Sequence, residues 1–424
     1  MARALGWRVR DAARDAGVRA LDALEDGAWR ARYALIDRRW IGRLVRVAIG
    51  LCLGLTAAEA GLRSSPRALP AGASNILYSC YDPTDPEHVI FVDHGWLSTR
   101  TMVPHARTTC AFNGYVWEHR GDAYGFRNPE TWPRADVVLF GDSMMYGHGV
   151  EERETTAHVL RDELAMTVAN LAFTGATASG YLEHLRNFGI PLHPKIAIVV
   201  IYANDLVDLE ERRREVEMFL RRGVGLGATR IDRDRLVALP MRRESAIPAS
   251  SGPWWWSRLF RLADFQRRRG PDGEPPYGGF SLHAALPAAA NGSRPPLFTP
   301  DLAPDWASFD PRSRLAWEHA YMRAAIGLMT REARAVDCQL VIVTLPMETL
   351  AGPSLLNAQL QPVREYAESL GAVAIDGGAF ISRGGREVEG IRLPRDYHFN
   401  ADGHRRFAQG LAEELRRRLP ALTQ

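Results

Sequence analysis

From Ala135 onward, short apolar runs alternate with longer stretches in which apolar residues recur every three or four positions. The runs are Ala135–Gly141, Met166–Leu171, Lys195–Tyr202, Gln339–Leu345 and Ala372–Asp376. Their length and the turn residues that bound them predict buried strands. The stretches Glu154–Ala165, Ser179–Phe188, Arg314–Val336, Asn357–Leu370 and Ala401–Leu419 have the period of amphipathic helices. Strands and helices in alternation predict an α/β fold, with a doubly wound, mostly parallel five-stranded sheet of the flavodoxin-like kind. Active sites in such sheets gather at the carboxyl ends of the strands. The alternation breaks between about 210 and 310. That segment holds the charge cluster Glu210–Glu215, the tryptophan triplet Trp254–Trp256 and a loop rich in Pro, Gly and Ala. It reads as an insertion between the third and fourth strands, long enough to cap a site. The tryptophans there could stack on sugars, but anchoring the insertion to the core is the simpler role.

The N-terminal pattern is different. Val47–Ala58 carries no charge, and extending it from Ile41 to Leu62 reaches the roughly 20 residues that a membrane span needs. Arg43, Arg46 and Glu59 lie toward the ends, where charged side chains can reach the headgroups, and Trp40 stands where an interfacial anchor would. Arginines crowd the chain up to Arg46, so the positive-inside rule puts the N-terminus in the cytoplasm and the rest outside it. A buried helix of a soluble protein and a signal peptide are the competing readings. The preceding segment is too long and too acidic for an ordinary signal sequence, and Leu51 before Cys52 argues against a lipoprotein signal. Residues 7–39 read as a helix of arginines, acids and scattered apolar residues, which either lies on the anionic inner leaflet or is simply solvated. The expected organisation is therefore an Arg-rich tail over 1–40, an anchor over 41–62, a linker and lead-in over 63–130, and a catalytic domain over 131–424.

Composition narrows this further. The chain has 424 residues, and its net charge of +3 gives no reason to expect nucleic acid as a partner. Lys195 is the sole lysine, a bias of the genome rather than of chemistry. None of the four cysteines has metal-site spacing, and neither a metal nor a cofactor is expected. Cys52 and Cys338 read as packed thiols, whereas Cys80 and Cys110 lie in a loop-rich stretch and can pair if it is exported.

The candidate chemistry begins at Phe140-Gly-Asp-Ser143, where the first predicted strand turns into a helix. A serine there presents its hydroxyl at the top of the sheet, with a helix N-terminus behind its N–H. Gly141 permits the tight turn, and Asp142 braces it. An isolated Gly-Asp-Ser would be read as an ordinary helix cap, but three further blocks follow: Asn170–Gly175, Tyr202-Ala-Asn-Asp205 and Asp396-Tyr-His398. Together the four resemble the SGNH/GDSL hydrolase family over roughly 124–419, and Tyr124–Glu130 is similar to the lead-in of membrane-anchored bacterial members. The resemblance implies Ser143 as nucleophile and Asp396 and His398 as its acid and base partners. It also implies an oxyanion hole made of the Ser143 N–H, the Gly175 N–H and the Asn204 side chain. Two departures stand out. Tyr202 replaces a common glycine and would narrow the site near Asn204, and only Tyr397 separates Asp396 from His398, where two residues are usual.

Serine needs a base in reach to act as a nucleophile, and the tetrahedral intermediate needs donors for its oxyanion. These residues could therefore run ester hydrolysis on an acylated small molecule or glycan, with O-acetyl groups of an envelope or exopolysaccharide glycan as the expected target. Acyl transfer to a polysaccharide by the same triad is one alternative, and a catalytically silent binding or assembly subunit is another. The location implied is a single-pass bacterial inner-membrane protein with its catalytic domain in the periplasm or outside the cell. Of the remaining polar residues, His404 is expected at the surface or as a cap, His148 turned aside by a helix, and Asp205 and Asp376 as local caps.

Overall fold

The computed structural model describes residues 2–78, 80, 90–93, 101–206, 242–243, 257–268, 314–349, 352–394 and 396–423. They form two compact units. The first holds residues 1–65 with 257–259, and the second holds the rest. Most of the expected insertion over 210–310, including Trp254–Trp256, lies outside the described residues.

The first unit is dominated by helix α1, Ala2–Ser64. The segments expected as tail and anchor lie on one unbroken helix, about 95 Å long at 1.5 Å per residue. No proline interrupts the stretch. It is the one described helix long and apolar enough to cross a membrane. Ile41, Leu44, Val47, Leu51 and Leu55 are each at least 58% exposed, so among the described residues nothing covers these side chains. Glu59 accepts hydrogen bonds from the Ser257 hydroxyl, from the backbone N–H groups of Arg258 and Leu259, and from Arg63.

Ahead of its main sheet the second unit carries a hairpin of β1, Arg107–Phe112, and β2, Tyr115–Arg120. Asn113 and Gly114 form its two-residue turn with φ of 48° and 85°, the pair of positive angles that Asn-Gly supplies at low cost. Cys110 of β1 is disulfide-bonded to Cys80, with 5.0 Å between Cα atoms.

The sheet then follows the predicted alternation. Its strands are β3 (Val137–Phe140), β4 (Val168–Asn170), β5 (Ile196–Tyr202), β6 (Gln339–Leu345) and β7 (Val373–Asp376). All pair in parallel, in the order β7-β6-β5-β3-β4. This is the doubly wound 2-1-3-4-5 arrangement, whose strand order reverses between β3 and β5. Every residue of β3, β4 and β5 is buried, as expected of strands covered on both faces. The covering helices are α2 (Thr156–Leu164), α3 (Ala178–His184), α4 (Arg314–Arg334), α5 (Leu360–Ser369) and α6 (Ala401–Arg418). Thr155 caps α2 by accepting from the N–H of His158, and Asn400 caps α6 by accepting from that of Gly403. The strand ends at Phe140 and Tyr202 therefore flank the switch point, the place where open α/β sheets bind their ligands.

Candidate active site

At the end of β3 the chain passes Gly141, where a Cβ would stand 2.5 Å from Met145 Cγ, so any larger residue would clash. Asp142 then caps a single helical turn, Ser143–Tyr146, its carboxylate accepting from the Met144 N–H at 2.9 Å. Gly147 ends that turn in the left-handed region at φ 84°, and the His148 N–H returns to the Ser143 carbonyl at 3.1 Å. The helix is too short to carry His148 away, and the chain folds back on the serine. Buried Arg127 fixes this reversal, donating to the carbonyls of Gly147 and Val150.

Three predicted residues meet in a line. Ser143 Oγ lies 2.7 Å from His398 Nε2, and His398 Nδ1 lies 2.6 Å from Asp396 Oδ1. The same carboxylate oxygen also accepts the His398 backbone N–H at 2.9 Å, which the single-residue spacing allows. Ser143 and His398 are buried, with 8% and 2% of their surface exposed. Burial alone would raise the Asp396 carboxyl, but the hydrogen bond and charge of His398 outweigh it and hold the group well below the ordinary carboxylate value. The other carboxylate oxygen accepts from the Asn113 side chain at 2.8 Å.

Several contacts fix the loop that carries Asp396 and His398. The Tyr115 hydroxyl donates to the Pro394 carbonyl at 2.6 Å. The Arg392 guanidinium grips Glu387 through two 2.6 Å bonds and also donates to the Tyr397 carbonyl and the Tyr202 hydroxyl. Tyr202 is fully buried, and it ties the end of β5 to the histidine loop. Burial raises its phenol above the usual value.

Asn204 sits in the turn after β5 and donates to Asp142 Oδ2 at 3.4 Å, beside the serine turn. The helix that Asp205 was expected to cap would lie in residues outside the described ones. Asp205 itself is fully buried, and its carboxylate accepts from the Tyr181 hydroxyl and the Tyr202 N–H, anchoring the turn that bears Asn204. Gly175 follows β4 with φ 71°, and space is open where a Cβ would stand. Asp376 does brace its turn locally, accepting from the Gly378 N–H.

Two histidines lie elsewhere than expected. His404 is fully buried, and its Nδ1 accepts from the Thr156 backbone N–H at 3.2 Å, so that nitrogen carries no proton. Burial first, then Arg127 and His398, push it down to about 3. His148 stacks on the imidazole of His398, with ring centroids 4.2 Å apart and planes at 16°. A positive-φ glycine four residues after the serine was the available signal for such a reversal. For Asn113 the signal was the Asn-Gly pair between two alternating segments.

His148, Asp396 and His398 are also the one cluster among the described residues whose donor atoms lie close enough to suggest a metal. Imidazole lone pairs point within the ring plane. Two stacked, nearly parallel rings cannot converge on one ion, and both Nδ1 and Nε2 of His398 are engaged.

No family model and no curated protein sequence matches the chain. Solved structures resemble it in fold at low identity. TesA is 12% identical, covers 66% of this chain and 98% of its own, and has a TM-score of 0.35. The psychrotrophic esterase EstA from Pseudoalteromonas sp. is 10% identical, covers 67% and 99%, and has a TM-score of 0.34. A GDSL-like lipase from Bacteroides thetaiotaomicron is 10% identical, covers 67% and 88%, and has a TM-score of 0.31.

Proposed function

We propose that the chain is a serine-dependent ester hydrolase of the SGNH/GDSL type, anchored to a membrane by α1. The observation that carries this reading is the line from Ser143 Oγ through His398 to Asp396, with contacts of 2.7 and 2.6 Å. In it, His398 Nε2 takes the Ser143 proton as Oγ attacks the ester carbonyl, and later returns that proton to the leaving alcohol. Asp396 keeps Nδ1 protonated and stabilises the imidazolium. The Ser143 and Gly175 N–H groups and the Asn204 amide hold the oxyanion, and water then releases the acyl group.

The site favours a small acyl group. Tyr202 accepts a hydrogen bond from Arg392 and stacks on Tyr397, and this large, fixed side chain two residues before Asn204 stands where the resembled family commonly has glycine. The apolar helix α1 and the Cys80–Cys110 disulfide together support a catalytic unit on the oxidising side of a bacterial inner membrane, in the periplasm or outside the cell. Acylated glycans of the envelope are available there, and O-acetyl groups on such a glycan are the substrate we infer.

The test is covalent labelling with a fluorophosphonate, followed by acetate release from O-acetylated polysaccharides. Wild type should label, while Ser143→Ala and His398→Ala should not. A folded wild type that fails to label would overturn the hydrolase reading. Labelling without acetate release, but with acetyl appearing on an added glycan acceptor, would replace hydrolysis with transfer.

A further inference from the structure

We propose that His148 is a positioning residue, whose ring holds the His398 imidazole in line between Ser143 and Asp396. The inference rests on the reading of Ser143 and His398 as the reacting pair. The two contacts of His398 leave from opposite edges of its ring, and imidazole nitrogens bond best within the ring plane. Rotation of the ring about its bond to Cβ tilts that plane and weakens both bonds together. A flat partner against one face opposes that rotation, and His148 is such a partner at 4.2 Å and 16°.

His148 can do this because it is itself fixed. The Phe112 ring meets it edge-on at 4.6 Å, and the Trp117 indole lies 4.6 Å away at 49°. Both come from the β1–β2 hairpin. Its backbone is held by the bond from its N–H to the Ser143 carbonyl and by the grip of Arg127 on the neighbouring carbonyls. His148 is 2% exposed.

The charge state suits the task. Burial foremost holds His148 well below the ordinary imidazole value; a positive charge on His398 and that of Arg127 push the same way, against the opposing pull of Asp396. When His398 takes the serine proton it becomes a cation, and a neutral aromatic face is attracted to it, where a second imidazolium would repel it. The stack therefore holds the ring before proton transfer and tolerates the charge after it. Aromatic area is what matters, so phenylalanine should replace histidine here.

The experiment compares full-length wild type, Ser143→Ala, His148→Ala and His148→Phe in detergent. The readouts are kcat and KM for p-nitrophenyl acetate and the low-field proton resonance of the His398 Nδ1–H, which Asp396→Asn should remove. Misplacement of a catalytic group costs up to about a hundredfold. We expect His148→Ala to lower kcat by roughly 10- to 100-fold at nearly constant KM and to broaden the resonance. His148→Phe should restore both. Wild-type kcat and resonance in His148→Ala would overturn the proposal. So would a folded His148→Phe as impaired as the alanine variant, since the ring would then act through its nitrogens. If His148→Ala does not fold, the phenylalanine variant decides alone. A wild type that shows the resonance but neither labels nor turns over ester would fail the hydrolase reading instead, and the resonance in the variants would still decide the role of His148.

Discussion

The Asn113 side-chain amide donates to Asp396 Oδ2 at 2.8 Å, joining residues 283 apart in sequence. Asp396 Oδ1 serves His398 twice, through Nδ1 and through the backbone N–H. The tip of the hairpin thus holds the carboxylate by its other oxygen and sets the direction in which it faces the imidazole. A hydrogen bond to a charged group contributes about 1.5–3 kcal/mol when well formed, and partial exposure reduces it here. Asn113→Ala should lower kcat by about tenfold, the equivalent of 1.36 kcal/mol. Asn113→Asp should be worse, because it sets a second carboxylate against the first. Steady-state kinetics at matched folding, checked by circular dichroism, would measure this. Equal rates in all three proteins would remove Asn113 from the site's support.

Asn204 gives a sharper expectation. Its amide is held beside Asp142 and the serine turn, and Asp205 fixes the backbone on which it sits. As an oxyanion donor it acts mainly in the transition state. Asn204→Ala should therefore lower kcat by roughly 100- to 1000-fold and leave KM nearly unchanged. A rise in KM at constant kcat would instead make Asn204 a substrate-binding group.

Sheet and site were legible in the sequence to different degrees. All five strands appear within two residues of their predicted ends, because strands buried on both faces read as unbroken apolar runs such as Ile196–Tyr202. Ser143 was singled out because its block falls where a strand ends, and Asp396 and His398 because theirs follows three other blocks in the order of the resembled family; His398 lies within hydrogen-bond distance of both the others. His148 was not legible, since a serine entering a helix suggested several turns, and only one forms before Gly147 reverses the chain. His404 and Asp205 look like surface residues at helix starts. What buries them is tertiary: Thr156 of α2 meets His404, and Tyr181 of α3 meets Asp205. Local periodicity carries no record of such pairings.

The disulfide should couple stability to activity. Cys80 and Cys110 are 30 residues apart, and closing a loop of that size restricts the unfolded chain by about 3–4 kcal/mol. Cys110 lies on β1, two residues from Phe112, which packs on His148, and three from Asn113. Replacing both cysteines by serine should lower Tm by roughly 5–15 °C. It should also reduce kcat at temperatures where the protein remains folded. A lower Tm with wild-type kcat would show that the hairpin keeps its place without the bridge.

Acid should destabilise the fold through His404. Its pKa is lowered from 6.5 to about 3 by burial, with Arg127 and His398 adding to the effect. The unfolded chain therefore binds a proton that the native state refuses. The associated stability is fully present above pH 6.5 and is lost as pH falls from there toward about 3. Denaturant unfolding between pH 6.5 and 4 should show a slope that His404→Gln reduces by about one proton, or 1.36 kcal/mol per pH unit. The same slope in both proteins would mean that His404 protonates readily in the native state.

The anchor makes the final prediction. Residues 41–62 present apolar side chains on an exposed helix, preceded by Arg38 and Arg39 and carrying Arg43 and Arg46 toward their N-terminal end. If this stretch spans a bilayer, alkaline carbonate should leave the protein in the membrane pellet, and detergent should release it. The arginine excess then sets the orientation. Alkaline phosphatase fused after Gln424 should be active, because it folds only outside the cytoplasm, while green fluorescent protein at the same place should stay dark. Placing arginines at Val47 and Leu51 should abolish pelleting, at a cost of about 2.5–3.5 kcal/mol for each charge near the membrane centre. Release of the wild type by carbonate would mean that α1 lies on the membrane or against a partner, and the exported site would then need another route across.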